Sequence, residues 1–218
     1  MKILLIVASM LAVLSPFPSF AQSAASQAAP DGNNVAVDTA DIDTSILDLS
    51  YVNSTLNLQD YDGIFVKKPE VAFQSHWINE FGDARTRSYR ARIARDYANL
   101  LMSSIEENLA VTTGLDVVTQ PGEKTLVIIP KLLDLYIHYP DMGGIQDVLI
   151  ANAAGNAKID LVIYSPKAEA VFGLFTDWRS TGKPGIVIPS KLRTINTRAF
   201  TGLFDAWMVD ITGMLVNR

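Results

Sequence analysis

The chain of 218 residues contains no cysteine. That excludes a disulfide framework, a thiolate nucleophile and a thiolate-ligated metal, and it excludes the lipid-modified cysteine of a bacterial lipoprotein. Histidine is almost as scarce, with only His76 and His138. Neither has a partner at ligand spacing, and a zinc site needs three or four ligands, so no metal and no cofactor is expected. Gly-x-Ser-x-Gly, the P-loop and the dinucleotide fingerprint are all missing, and Gly143-Gly144 and Gly182 to Gly185 match no phosphate-binding glycine motif. Between Lys2 and Lys67 there is no basic residue, while Asp31, Asp38, Asp41, Asp43, Asp48, Asp60 and Asp62 are acidic. The formal charge of -5 therefore comes from this leading segment, and from Gly63 onward acid and base nearly balance. A near-neutral domain speaks against nucleic acid, which requires a basic surface.

The N-terminus is informative in its own right. Met1-Lys2 supplies a positive charge, Ile3 to Leu14 an apolar run, and Ser19-Phe20-Ala21 a small-x-small site before Gln22. That order predicts a secretory signal peptide over residues 1–21, cleaved near Ala21, and a periplasmic destination. A transmembrane anchor is the competing reading, but Ser15, Pro16 and Pro18 interrupt the run short of the about 20 residues a bilayer requires. No later stretch reads as a membrane span. Residues 22–60 are expected to form a flexible acidic leader, because Gln22 to Asn34 is rich in Ala, Ser, Gln, Gly and Asn and has no aromatic residue. Whether Ile46, Leu47, Leu49, Tyr51 and Val52 pack on the domain is left open by the sequence.

A single domain is expected over residues 61–218. Ile64 to Phe73 reads as one strand, with Pro69 at an edge or a break. From Arg87 to Val111 the apolar positions Ile93, Tyr97, Leu100, Leu101, Ile105 and Leu109 recur at spacings of three and four, which predicts a long helix capped by Gly114. Leu115 to Val118 and Thr125 to Ile129 flank Gln120-Pro121-Gly122-Glu123 and read as a hairpin. The second arm runs on to Tyr139, with Asp134, Tyr136 and His138 alternating toward a wet face. Ala157 to Tyr164 and Ala170 to Trp178 form a further pair around Ser165-Pro166-Lys167. Ile195 to Val216 carries Phe200, Phe204, Trp207, Ile211 and Met214 on one stripe. The expected fold is α+β: a mainly antiparallel sheet of about five strands with two long helices on one face, in the order β-α-β-β-β-β-α. Two long loops, Asp141 to Asn156 and Arg179 to Arg193, are where a ligand is expected.

Tyr61 to Val66, the helix ending in Gly114-Leu115-Asp116-Val117-Val118, Pro121-Gly122, Phe172 to Arg179 and Phe204-Asp205-Ala206-Trp207 together resemble the DUF3313 family. Its members are bacterial envelope proteins, many of them lipoproteins, with no established function. The resemblance implies a cell-envelope setting and carries over no activity and no functional residue. The missing lipobox cysteine is a departure from the family pattern.

Three groups of residues remain as sites. Asp134, Asp160 and Asp177 fall on neighbouring predicted strands and could serve a hydrolase, although solvent-facing acids on a sheet explain them more simply. Arg85, Arg87, Arg90, Arg92 and Arg95 crowd the start of the long helix and could grip an anion; against that, Arg92 and Asp96 are spaced as an ordinary ion pair. Asp177, Trp178 and Arg179, beside a loop carrying Lys183, make a candidate rim for a ligand or partner. The expected function is a non-catalytic accessory or binding domain of the envelope, partnered by an envelope protein or lipid. The alternative is a periplasmic hydrolase using paired carboxylates.

Overall fold

The computed structural model describes residues 42–80, 86–138, 149–150, 153–182, 186–187 and 192–216. The predicted signal peptide, Arg85 and Lys183 lie outside them. The strands are β1 (Leu49–Val52), β2 (Gly63–Val66), β3 (Glu70–Phe73), β4 (Asp116–Val117), β5 (Thr125–Ile137), β6 (Leu149–Ile150), β7 (Gly155–Ser165), β8 (Ala170–Ser180) and β9 (Ile186–Val187). The helices are α1 (Ser75–Glu80), α2 (Thr86–Thr113) and α3 (Leu192–Val216). One seven-stranded sheet runs β1-β8-β7-β5-β2-β4, with β3 also paired to β5, and a two-stranded sheet joins β6 to β9. The long ladders β5-β7 and β7-β8 are antiparallel, so the expected α+β class holds, with more strands than the sequence had indicated.

Much of the core is what apolar periodicity requires. Ile93, Tyr97, Leu101, Ile105 and Leu109 of α2 are buried against the sheet, and so are Phe200, Phe204, Trp207 and Ile211 of α3. Burying each such large side chain contributes roughly 1.5–3 kcal/mol before conformational entropy is set against it. Gly114 adopts φ 72° and its N–H donates to the Ala110 carbonyl at 2.9 Å, closing α2 as a left-handed cap. Tyr97 meets Phe200 edge-on, Asp96 meets Arg193, and Ser104 donates to Asp205. These contacts follow the same order along both chains, so α2 and α3 run parallel and their N-termini share one end of the domain.

Several expectations are corrected. Residues 42–60 do not belong to a flexible leader: β1 pairs antiparallel with β8 from Leu49↔Thr176 to Val52↔Gly173, and Leu47, Tyr51 and Val52 are buried. Their apolar side chains offset the cost of ordering an otherwise acidic segment. The hairpin expected around Pro121-Gly122 does not form, because β2 lies between β4 and β5 and is parallel to both. The single strand expected over Ile64 to Phe73 is broken at Lys67-Lys68-Pro69 into β2 and β3, which pair successively with the same edge of β5. Along β5 the alternation fails at Asp134, whose φ is 49° and where the register with β7 shifts between Leu133 and Tyr136. The extra residue there puts Leu133 on the opposite face from Leu135 and Ile137. Finally, Arg193–Val216 is by length and composition long and apolar enough to cross a membrane. A search for uninterrupted apolar runs misses it because Asp205 and Asp210 interrupt the segment; its buried stripe belongs to the core.

Candidate functional site

The residues singled out at the end of β8 are mostly occupied with one another. Asp177 is 5 % exposed and faces the helices. Its Oδ2 accepts from Trp207 Nε1 at 2.9 Å and is paired with Arg179 Nε, while its Oδ1 accepts from the Asp48 backbone N–H at 3.1 Å. Asp48 returns the contact by accepting from the Trp178 N–H at 3.0 Å. Arg179 Nη2 reaches Asp210 Oδ2 on α3 at 2.7 Å. Together these bonds clamp the start of β1 and the middle of α3 to β8. Trp178 points to the other face and is half exposed. It stands opposite Lys158 in the β7-β8 ladder.

The three acids considered for hydrolysis are not assembled. Asp160 is opposite Thr176 in the ladder and Asp177 is opposite Ile159, so neighbouring strands carry them on opposite faces of the sheet. Asp134 is exposed in its bulge. The expectation that these acids sit on a wet face fails for the other two, since Asp160 is 1 % exposed. Its Oδ1 accepts from Thr176 Oγ1 at 2.9 Å and lies 3.6 Å from Lys158 Nζ, while Oδ2 has no hydrogen-bond partner among the described residues. The two histidines flank Tyr136, with ring centroids 6.3 Å away for His76 and 4.9 Å for His138. Among the described residues no group of His, Asp and Glu could hold a metal ion. The two long loops are brought together, with Leu149↔Val187 and Ile150↔Ile186 as the β6-β9 pairs.

The arginine-rich start of α2 opens onto a recess that the sequence did not reveal. A groove of about 270 Å³ lies between the N-terminal parts of α2 and α3. Ile93, Leu100 and Ile137 give it apolar lining, and Arg92 and Arg193 give it positive charge. Arg92 does not pair with Asp96 as its spacing predicts; its guanidinium lies 4.9 Å above the Tyr89 ring. Asp96 instead contacts Arg193 at 3.4 Å and Arg95 at 4.0 Å. Tyr97 lines the groove, is 7 % exposed, and finds no hydrogen-bond partner for its hydroxyl among the described residues. That hydroxyl is not among the buried polar atoms sealed without a partner, so it still opens to the groove. Burial, and then the neighbouring Tyr89 and Asp96, push the phenol's pKa up, keeping it a donor. At the opposite end of the helices a wider recess of about 990 Å³, between residues 52–61 and the C-terminal turns of α2 and α3, is lined by neutral side chains. In the sequence Tyr97 belongs to the core stripe of α2, where the structure also has it, and Arg193 stands at the end of a loop. Only the parallel packing of the helices brings the two together.

No family model matches the chain, so the resemblance to DUF3313 gains no support, and no curated protein matches it. Among solved structures, a PelC dodecamer from Paraburkholderia phytofirmans is similar at 11 % identity and a TM-score of 0.37, over 72 % of this chain and 96 % of that one. A Xanthomonas campestris protein of DUF330 aligns at 10 % identity and 0.37, over 70 % and 85 %. A putative neuraminyllactose-binding hemagglutinin homologue from Helicobacter pylori aligns at 13 % and 0.34, over 71 % and 86 %. Likeness at this level carries neither a role nor a ligand to this chain.

Proposed function

We propose that the chain is a non-catalytic accessory or binding domain of the bacterial cell envelope, exported under the signal sequence at its N-terminus. The observation that carries this reading is the separation of Asp160 and Asp177 onto opposite faces of the sheet. Hydrolysis by two carboxylates requires the pair to flank one scissile bond within a single cleft, about 5–9.5 Å apart, which two faces of one sheet do not offer. Asp177 is in addition occupied by the Asp48 backbone N–H, the Trp207 indole and the Arg179 guanidinium, which hold it against the helices. The recesses at the two ends of the helix pair are concave surfaces of the kind that hold ligands. The envelope setting rests on the charged, apolar and small-x-small order of residues 1–21 and on the DUF3313-like pattern.

The test is to incubate the chain with peptidoglycan fragments, lipopolysaccharide and phospholipid vesicles. Retention is read by sedimentation and any new product by mass spectrometry. Retention without a product is expected, with protein recovered from the periplasmic fraction lacking residues 1–21. A product that forms with the parent chain but not with a folded Asp160→Asn or Asp134→Asn variant would establish the hydrolase and overturn this reading.

A further inference from the structure

We infer that the groove between the N-terminal parts of α2 and α3 binds a small ligand through an oxyanion, a phosphate or carboxylate held between Arg92 and Arg193 and hydrogen-bonded by the Tyr97 hydroxyl. The inference rests on the reading of the chain as a binding domain and names the chemistry of one of its sites.

Charge is the first support. Two parallel helices place their N-termini at one end, and each terminus carries the positive end of a macrodipole, worth about half a unit charge. Arginines there are unfavourable to both dipoles, yet Arg92 lies in the second turn of α2 and Arg193 in the first turn of α3. Against Arg92 and Arg193 the groove sets one carboxylate, Asp96, which is shared with Arg95 outside it. An anion between the guanidiniums would relieve that excess, and the planar fork of arginine suits both phosphate and carboxylate. Asp96 holds Arg193 from one side and leaves its remaining donors for a ligand.

Tyr97 is the second and independent support. The Tyr97 side chain is 7 % exposed, and its hydroxyl has no hydrogen-bond partner among the described residues, so it is left to a ligand or to water. Here it opens into the groove, on a ring fixed edge-on against Phe200 at 4.8 Å. At neutral pH the phenol carries its proton, as tyrosine ordinarily does, and an anion in the groove would accept it. Arg92 is likewise pre-positioned, stacked on Tyr89 rather than paired with an acid. The volume of about 270 Å³ admits only a compact molecule, and Ile93, Leu100 and Ile137 supply apolar lining.

The experiment is a titration of protein purified after expression of the full chain, followed by thermal shift and calorimetry. Inorganic phosphate, succinate, sodium chloride at matched ionic strength and glycerol are compared. A saturable stabilisation by phosphate or succinate beyond that of chloride is expected, weakened tenfold or more in Arg92→Gln and severalfold in Tyr97→Phe. Arg87→Gln, an exposed arginine of the same helix outside the groove, should bind as the parent does. Saturation by phosphate alone assigns a phosphoryl group, and saturation by succinate alone a carboxylate. Equal shifts with chloride or glycerol, no saturation, or affinities unchanged in both groove variants would overturn the site. The Tyr97→Phe ring keeps its packing, so unfolding cannot stand in for lost binding. Failure here leaves the envelope-retention test standing, whereas a bound anion that is converted would overturn the non-catalytic reading and keep the site.

Discussion

At Asp177 three donors converge on one buried carboxylate: the Asp48 backbone, the Trp207 indole and the Arg179 guanidinium. Asp177→Ala strands all three, and breaking a buried charged network from one side costs about 3 kcal/mol. Urea denaturation should show that loss. Trp178→Ala, half exposed one residue along, should cost less than about 1 kcal/mol. Equal effects would mean that the clamp contributes nothing to holding α3 and β1 to the sheet. Tyr97 offers a test through pH. Its folded pKa lies above the ordinary phenol value of about 10, so its contribution is complete below that pH. As pH rises further the unfolded chain releases a proton that the native chain keeps, and stability falls toward the folded pKa. Tyr97→Phe has no such proton. Between about pH 10 and pH 11.5 the parent should therefore lose stability more steeply than the variant, by at most about 1.4 kcal/mol per pH unit. Denaturation midpoints at stepped pH would show parallel slopes if Tyr97 were freely solvated.

Elements were legible wherever one face alone determines the pattern. Periodicity placed α2 and α3 within a few residues of Thr86–Thr113 and Leu192–Val216, and Gly114 where the first of them ends. The β7-β8 hairpin was equally plain, although its turn places the positive φ on Glu169, and no glycine supplies it. What could not be read is what a neighbouring element imposes. The bulge at Asp134 exists because β5 must stay in register with β7 on both sides of it, and a single strand carries no record of its partner's spacing. Gly155 is a second such case, since it gives no local signal of a turn. A Cβ there would meet the Tyr136 carbonyl and the Phe200 ring, so the strand must lack a side chain for α3 to approach. Gly155→Ala is expected to cost about 3 kcal/mol, because the clash includes backbone and the large, fully buried Phe200 ring. A thermal melt within about 2 °C of the parent's would show that α3 is not seated on β7 as described.

For the whole molecule, sequence composition misjudged where the fold begins and which distant segments meet. Acidic residues and a lack of lysine marked residues 22–60 as a leader, but Leu47, Tyr51 and Val52 extend the sheet beyond β8. The arginine cluster was visible, but its counterpart Arg193 comes from a helix that lies alongside only after folding. The two long loops stand out in the sequence by length, yet nothing in either predicts that they pair. Their β6-β9 ladder can be tested directly because the chain has no cysteine to interfere. Ile150 and Ile186 are opposite one another in the antiparallel register, and directly opposed Cα atoms lie about 4.5–5.5 Å apart, within reach of a disulfide. Ile150→Cys with Ile186→Cys should therefore oxidise to an intramolecular cross-link, seen as loss of titratable thiol and faster migration on a non-reducing gel. Leu149→Cys with Ile186→Cys sets the two residues one position out of register, on opposite faces of the ladder, and should remain reduced under the same conditions. If both pairs oxidise alike, the loops meet without a fixed register. If neither does, they do not form this ladder, and the end of the domain expected to carry a ligand is built differently from the sheet beside it.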